Sequence, residues 1–200
     1  MRKIGLRFYK REATRLARDV IGAVLVHSVR GREYRARIVE AEAYVGPQDL
    51  ASHSSRGRTK RTEVMFGPAG RAYVYLIYGM YTMFNIVAGA AGSGQAVLIR
   101  AAEPLGDWKV DLSGPGKLTR AFKITQSLNG LNLTTGRLFL VHDPDYRPRI
   151  KRTRRIGVDY AQEWKDALLR FVDAKSAAVS GRRIGQQGRG TRALLASRPD

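Results

Sequence analysis

The run "YRARIVEAEAYV", residues 34–45, reads as a strand, and from Val39 to Val45 its apolar and polar side chains alternate with a period of two, the signature of a strand with one buried face. As a strand, Arg37 to Val45 places Glu40, Glu42 and Tyr44 on one face and Val39, Ala41, Ala43 and Val45 on the other. The small apolar face is the core side. The two glutamates sit roughly 6–7 Å apart at about 3.3 Å per residue, close enough for each to raise the other's pKa. "AVLVHSV" precedes this strand across the turn-like "RGRE", so the two segments predict a β-hairpin.

The remaining elements are read around this strand. Glu12 to Val20 has helical spacing, with Leu16 and Val20 on one face and Gly22 placed to end the helix. After Val45 comes "GPQDLASHSSRGRTKRTEVMFGPAG", a polar stretch without periodicity and too long for a mere connection, which points to function or disorder. "RAYVYLIYGMYTMFNIVAG" predicts two strands turning near Tyr78 and Gly79, and "QAVLIRAAEP" is the best-marked member of a second strand pair. "SGPGKLTRAFKI" predicts a helix with Pro115 in its first turn and Ser113 as its cap, offering backbone N–H groups near Lys117 to a phosphate. "RLFLVHD", "RIKRTRRIGV" and "ALLRFVD" read as strands, and "DYAQEW" as a short helical turn. Residues 1–180 make one domain; residues 181–200 form a basic Gly/Arg-rich tail expected to be mobile.

Charge sets the partner. Lys and Arg number 36 against 17 Asp and Glu, a net charge of +19, and the cations recur along the whole chain. That balance selects a polyanion, nucleic acid first and an anionic membrane surface second, over the bland reading of an arginine-biased proteome. Cysteine is absent, which excludes a disulfide framework, a thiolate nucleophile and a cysteine metal site. The N-terminus lacks the apolar core of a signal peptide and no stretch approaches a membrane span, so a cytoplasmic protein with no membrane partner is expected.

The residues alone leave the acidic strand face open. Its bland reading is an exposed polar surface whose glutamates pair with Arg35 and Arg37. A metal reading recruits Glu40, Glu42, Asp49 and His53 for Mg²⁺-dependent phosphodiester cleavage, although their spacing matches no specific metal motif. His27 and His142 fall in predicted strands and carry no signal of their own. Tyr73, Tyr75, Tyr78 and Tyr81 suit strands and cores, but Tyr78 beside Gly79 has little to pack against at a hairpin tip and is suited to wedge between base pairs.

"RIVEAEAYVGPQDLASHS", "MFGPAGRAYVYLIYGMYTMFNIV", "AVLIRAAEP" and "SGPGKL", in this order, resemble the 3-methyladenine (alkyladenine) DNA glycosylase family, and the likeness runs from "FYKREATRLARDVIGAVLV" to "RIGVDYAQEWKDALLRF". The resemblance implies an α+β fold, a single compact domain around a mixed, largely antiparallel β-sheet with a protruding β-hairpin. It implies a monofunctional, metal-independent base-excision enzyme without cofactor, acting as a monomer on double-stranded DNA containing damaged purines and associated with the nucleoid in a bacterium. Glu42 matches the general base that activates the attacking water, Glu40 a supporting residue, and Arg100 a residue that positions the water and the DNA backbone. Tyr44, His53 and Tyr75 match the base pocket, Asn85 a pocket residue that disfavours guanine, and Tyr78 the residue that fills the gap in the duplex. The chain departs from many relatives at Lys60 and Thr62, where they carry Pro and Asn, and "DAKSAAVS" lacks the Pro-Trp seen in some members. The rival from another class is a non-catalytic nucleic-acid-binding module; a metal nuclease is a third reading.

Overall fold

Residues 32–44 fold as one long strand, ending one residue before the expected Val45, and the rest of the chain is arranged about it. The computed structural model describes residues 2–181. In chain order the elements are α1 (Leu6–Tyr9), α2 (Ala13–Asp19), β1 (Val24–Val29), β2 (Arg32–Tyr44), β3 (Ala72–Ile77), β4 (Tyr81–Ala88), β5 (Gln95–Pro104), α3 (Pro115–Ala121), β6 (Leu138–Val141), β7 (Ile150–Thr153) and β8 (Arg170–Asp173). Short 3-10 turns at His53–Arg56 and Glu63–Phe66 give form to the long polar segment, and another at Gln162–Asp166 realises the expected helical turn.

The strands form one sheet in the order β3-β4-β5-β2-β1-β6, with β8 paired to β2 and β7 to β8. Every pairing among the described residues is antiparallel. β2 is its axis. β5 runs along one edge; on the other, β1 takes Arg32 to Arg37 and β8 takes Glu40 to Glu42. The sheet with few helices is the expected α+β domain, and "QAVLIRAAEP" is a single strand, β5, between β4 and β2.

Two hairpins turn on two residues with positive φ, Arg30 (49°) with Gly31 (77°) and Tyr78 (51°) with Gly79 (69°), the pairing of angles that matches strand twist in a tight hairpin. The core lies on the face carrying Ala36, Ile38, Ala41 and Ala43, where Leu16, Val20 and Phe122 are fully buried. Burying side chains such as Leu16 contributes about 1.5–3 kcal/mol each. Gly22 (φ +90°) follows α2 as expected and passes the chain to β1.

Helix α3 fixes the β3–β4 hairpin. Thr119 Oγ1 donates to Thr82 O at 2.8 Å, and Gly116 presents no Cβ where one would come within 3.0 Å of the Tyr81 ring. Ser113 is not its cap: Gly114 holds that position, while the Ser113 hydroxyl donates to Asp111. Lys117 likewise turns to Asp111, at 2.7 Å, rather than standing free for a phosphate. Among the described residues no helix is long and apolar enough to cross a membrane. The expected tail, residues 181–200, lies outside the described residues beyond Gly181.

Candidate active site

The acidic face of β2 is built by two offset bulges. Ile38 pairs with Ala102, Glu40 with Ala101 and Ala41 with Ile99, so the ladder skips Val39 on β2 and Arg100 on β5. Core-facing parity therefore switches from Ala36 and Ile38 to Ala41 and Ala43. Val39 does not share the face of Ala41, as strict alternation predicts; it packs with Ala101, Val172 and Val179 in a separate cluster. Bulges re-aim side chains without breaking the sheet, and here the skipped Arg100 meets both glutamates.

Glu40 and Glu42 are completely buried, not an exposed face, and their partners are not Arg35 and Arg37. Arg100 bridges them, with Nε 2.9 Å from Glu40 Oε1 and Nη1 3.3 Å from Glu42 Oε2. Glu40 also accepts from Arg170 Nε at 2.7 Å, from the Ser180 amide at 2.6 Å and from the Ser180 hydroxyl at 2.7 Å, which gives it four donors. Glu42 accepts from the Ile156 amide at 2.9 Å and from the Tyr44 hydroxyl at 3.1 Å. Arg37, by contrast, pairs with Asp143 at 2.8 Å. Burial pushes the Glu42 pKa above its usual range, against the pull of Arg100, the Ile156 amide and the Tyr44 hydroxyl, with Glu40 adding to the rise. The result is a carboxylate held by donors yet more basic than a solvated one.

Beside Glu42 opens a cleft of about 260 Å³ lined by Tyr44, His53, Tyr73, Tyr75, Asn85 and Arg100, with Tyr78 at its rim. The His53 and Tyr75 rings lie 4.5 Å apart by centroid, and Tyr73 and Tyr75 5.2 Å. Tyr73 is a pocket wall rather than only core filling: its hydroxyl is 2.9 Å from His53 Nδ1. Burial and then the charges of Arg61 and Arg56 lower the His53 pKa to about 4, so the ring is neutral near pH 7. Asn85 is buried and donates to Tyr73 O at 3.1 Å, which fixes its amide toward the cleft wall. Tyr78 is 84% exposed at the hairpin tip, as its place beside Gly79 predicts. The polar segment is tied locally at Thr62, whose Oγ1 donates to Gly57 O at 2.9 Å and accepts from the Thr59 amide at 2.8 Å.

Asp49 and Arg155 are the buried pair that sequence reading leaves without a role. Their contact is bidentate, 2.6 and 2.8 Å, and both side chains are fully buried. The turn after Arg155 supplies Ile156, Gly157, Val158 and Tyr160 to the cleft. Tyr160, 69% exposed, faces the opening; sequence reading places it in a helical turn and Ile156 in a strand, whereas β7 ends at Thr153, and neither residue carries a sign of the cleft. The proposed metal ligands do not converge: Glu40 and Glu42 are held by Arg100, Asp49 by Arg155, and His53 by Tyr73. Among the described residues no group of three or more His, Asp or Glu is arranged to hold a metal ion.

Residues 7–177 match the family model described as methylpurine-DNA glycosylase. The chain is similar to a Legionella pneumophila (strain Lens) protein named "Putative 3-methyladenine DNA glycosylase", at 51% identity over 90% of this chain and 99% of the relative. Proteins of the same name from Anaeromyxobacter sp. (strain Fw109-5) and Methanocella arvoryzae are 48% and 44% identical, each over 89% of this chain and over 92% and 96% of their own lengths. Matches of this extent establish that the chain belongs to the methylpurine-DNA glycosylase family and with it to the DNA glycosylases, a class of hydrolase.

Proposed function

We propose that the enzyme flips a damaged purine nucleotide out of duplex DNA and hydrolyses its N-glycosidic bond with water activated by Glu42. The observation that carries this reading is the buried Glu42 carboxylate directly behind the Tyr44 and Arg100 side chains that line an aromatic cleft. Water attacks the sugar C1′ as the bond to the base nitrogen breaks; the base leaves with the bonding electrons and Glu42 takes the water proton. The transition state gathers positive charge on the sugar, which an adjacent carboxylate stabilises while also orienting the water.

Tyr44, Tyr75 and His53 receive the purine. A neutral His53 does not repel a cationic base such as 3-methyladenine, the substrate in the relatives' name, and the tyrosine faces attract it. Tyr78 offsets part of the flipping cost, a few kcal/mol, by occupying the vacancy in the stack. Asn85 crowds the edge where guanine carries its 2-amino group, and the basic surface gives the monomer salt-sensitive affinity for duplex DNA during search.

Single-turnover reactions on duplexes holding 3-methyladenine, 7-methylguanine, hypoxanthine or ethenoadenine test the reading. Free base and an abasic site are expected from at least one, with the sugar-phosphate backbone intact and the rate unchanged by chelator. Tight, salt-dependent binding with no base released from any of the four would replace it with a non-catalytic binding module.

A further inference from the structure

We propose that Asp49 and Arg155 are positioning residues for Glu42, an inference that rests on reading Glu42 as the base. Neither side chain lines the cleft. Their pair instead closes the turn that follows β7 onto the end of β2, across 106 residues of sequence. Each remaining polar contact of the pair serves that closure. Arg155 Nη1 donates to Ala43 O at 3.0 Å, Arg155 Nη2 to Trp164 O at 3.3 Å, and Asp49 accepts from the Val45 and Ala51 amides at 3.2 and 3.0 Å.

Two consequences reach Glu42. The residue after Arg155 is Ile156, whose amide donates to Glu42 Oε1 at 2.9 Å. The Arg155 guanidinium lies 4.8 Å from the centroid of the Tyr44 ring, whose hydroxyl donates to Glu42 Oε2. The pair thus fixes two of the three donors on the carboxylate; the third is Arg100 from β5. The groups facing Glu42 are Arg100 from β5, Tyr44 and Glu40 from its own strand, Tyr75 from β3, Arg170 opposite it on β8, and Arg155 from the turn. A guanidinium and a carboxylate in bidentate contact give one geometry, which a lysine in the same place does not reproduce.

The test compares wild type with Asp49→Asn and Arg155→Lys in three measurements: cooperative thermal unfolding, a carbon-13 NMR titration of Glu42, and single-turnover excision with duplex affinity. In folded variants the Glu42 midpoint is expected to rise by about one unit, because the donor that favours its anion is displaced. The acid limb of the excision profile then moves to higher pH, the rate on that limb falls about tenfold and the dissociation constant stays within about twofold, since the DNA-contacting surface is untouched. If Asp49→Asn fails to fold, Arg155→Lys, which keeps the charge, carries the measurement. An unmoved Glu42 midpoint in a folded variant overturns the proposal whether or not excision changes. Absence of excision by wild type, with the midpoint shifted in the variants, contradicts the role of Glu42 as base and leaves the positioning of its carboxylate supported.

Discussion

Arg100 holds its Nη1 3.3 Å from Glu42 Oε2 while its Nε reaches Glu40 Oε1 at 2.9 Å, so one guanidinium bridges two fully buried carboxylates. Arg100→Gln leaves Glu42 without its ion-pair partner and Glu40 with Arg170 as its remaining one. Breaking a buried pair from one side costs about 3–5 kcal/mol, and urea unfolding at pH 7 is expected to show a loss of that order. Without Arg100 the Glu42 pKa in the folded state rises further above its unfolded value. The loss is therefore greatest above that raised pKa and shrinks as pH falls and Glu42 takes a proton. A deficit that does not shrink anywhere as pH falls from above neutrality to the ordinary glutamate range contradicts this coupling.

His53 gives a pH dependence of the opposite sense. Its folded pKa, about 4, lies below the unfolded value near 6.5, so the unfolded chain binds the proton first as pH falls. Stability is intact above about pH 6.5 and declines toward pH 4, by up to about 3 kcal/mol if the whole shift is expressed. Proton NMR of the His53 ring is expected to show a midpoint near 4. Arg61→Ala, which removes one of the charges behind the shift, moves it upward; a midpoint near 6.5 in wild type would refute the buried, neutral imidazole.

Tyr78 pairs exposure with backbone strain. A bulky residue at φ 51° costs about 1–2 kcal/mol, which Asn tolerates better. Tyr78→Asn is expected to match or exceed wild type in stability by about 1 kcal/mol. It should also excise a base-paired lesion about tenfold more slowly, with little change on single-stranded DNA, where no stack needs a wedge. Equal losses on both substrates would assign Tyr78 to the pocket instead.

The alternation of residues 37–45 made the shared face of Glu42 and Tyr44 legible, and Gly79 marked Tyr78 as an exposed tip, because both signals are local. The bulges at Val39 and Arg100 were not, since register depends on the partner strand and the adjacent apolar pair Ile38 and Val39 does not by itself say which residue is skipped. Burial of Glu40 and Glu42 was missed for the same reason: the cover comes from Ile156 and Ser180, more than a hundred residues away. Asp49 had no visible partner because ion pairing follows from topology, and one arginine among many gives no sign of which carboxylate it will meet. Family resemblance named pocket residues that the fold brings to one cleft; it did not single out Tyr160 or Arg155.

The most direct measurement is single-turnover excision by Glu42→Gln on a duplex carrying a damaged purine that wild type releases. Gln preserves the shape of the side chain and its capacity to accept from Ile156, but it cannot take a proton from water. Duplex affinity within about twofold of wild type, with base release slowed by about a hundredfold or more, is the expected result. Release at the wild-type rate would remove Glu42 as the base and with it the mechanism proposed for this cleft.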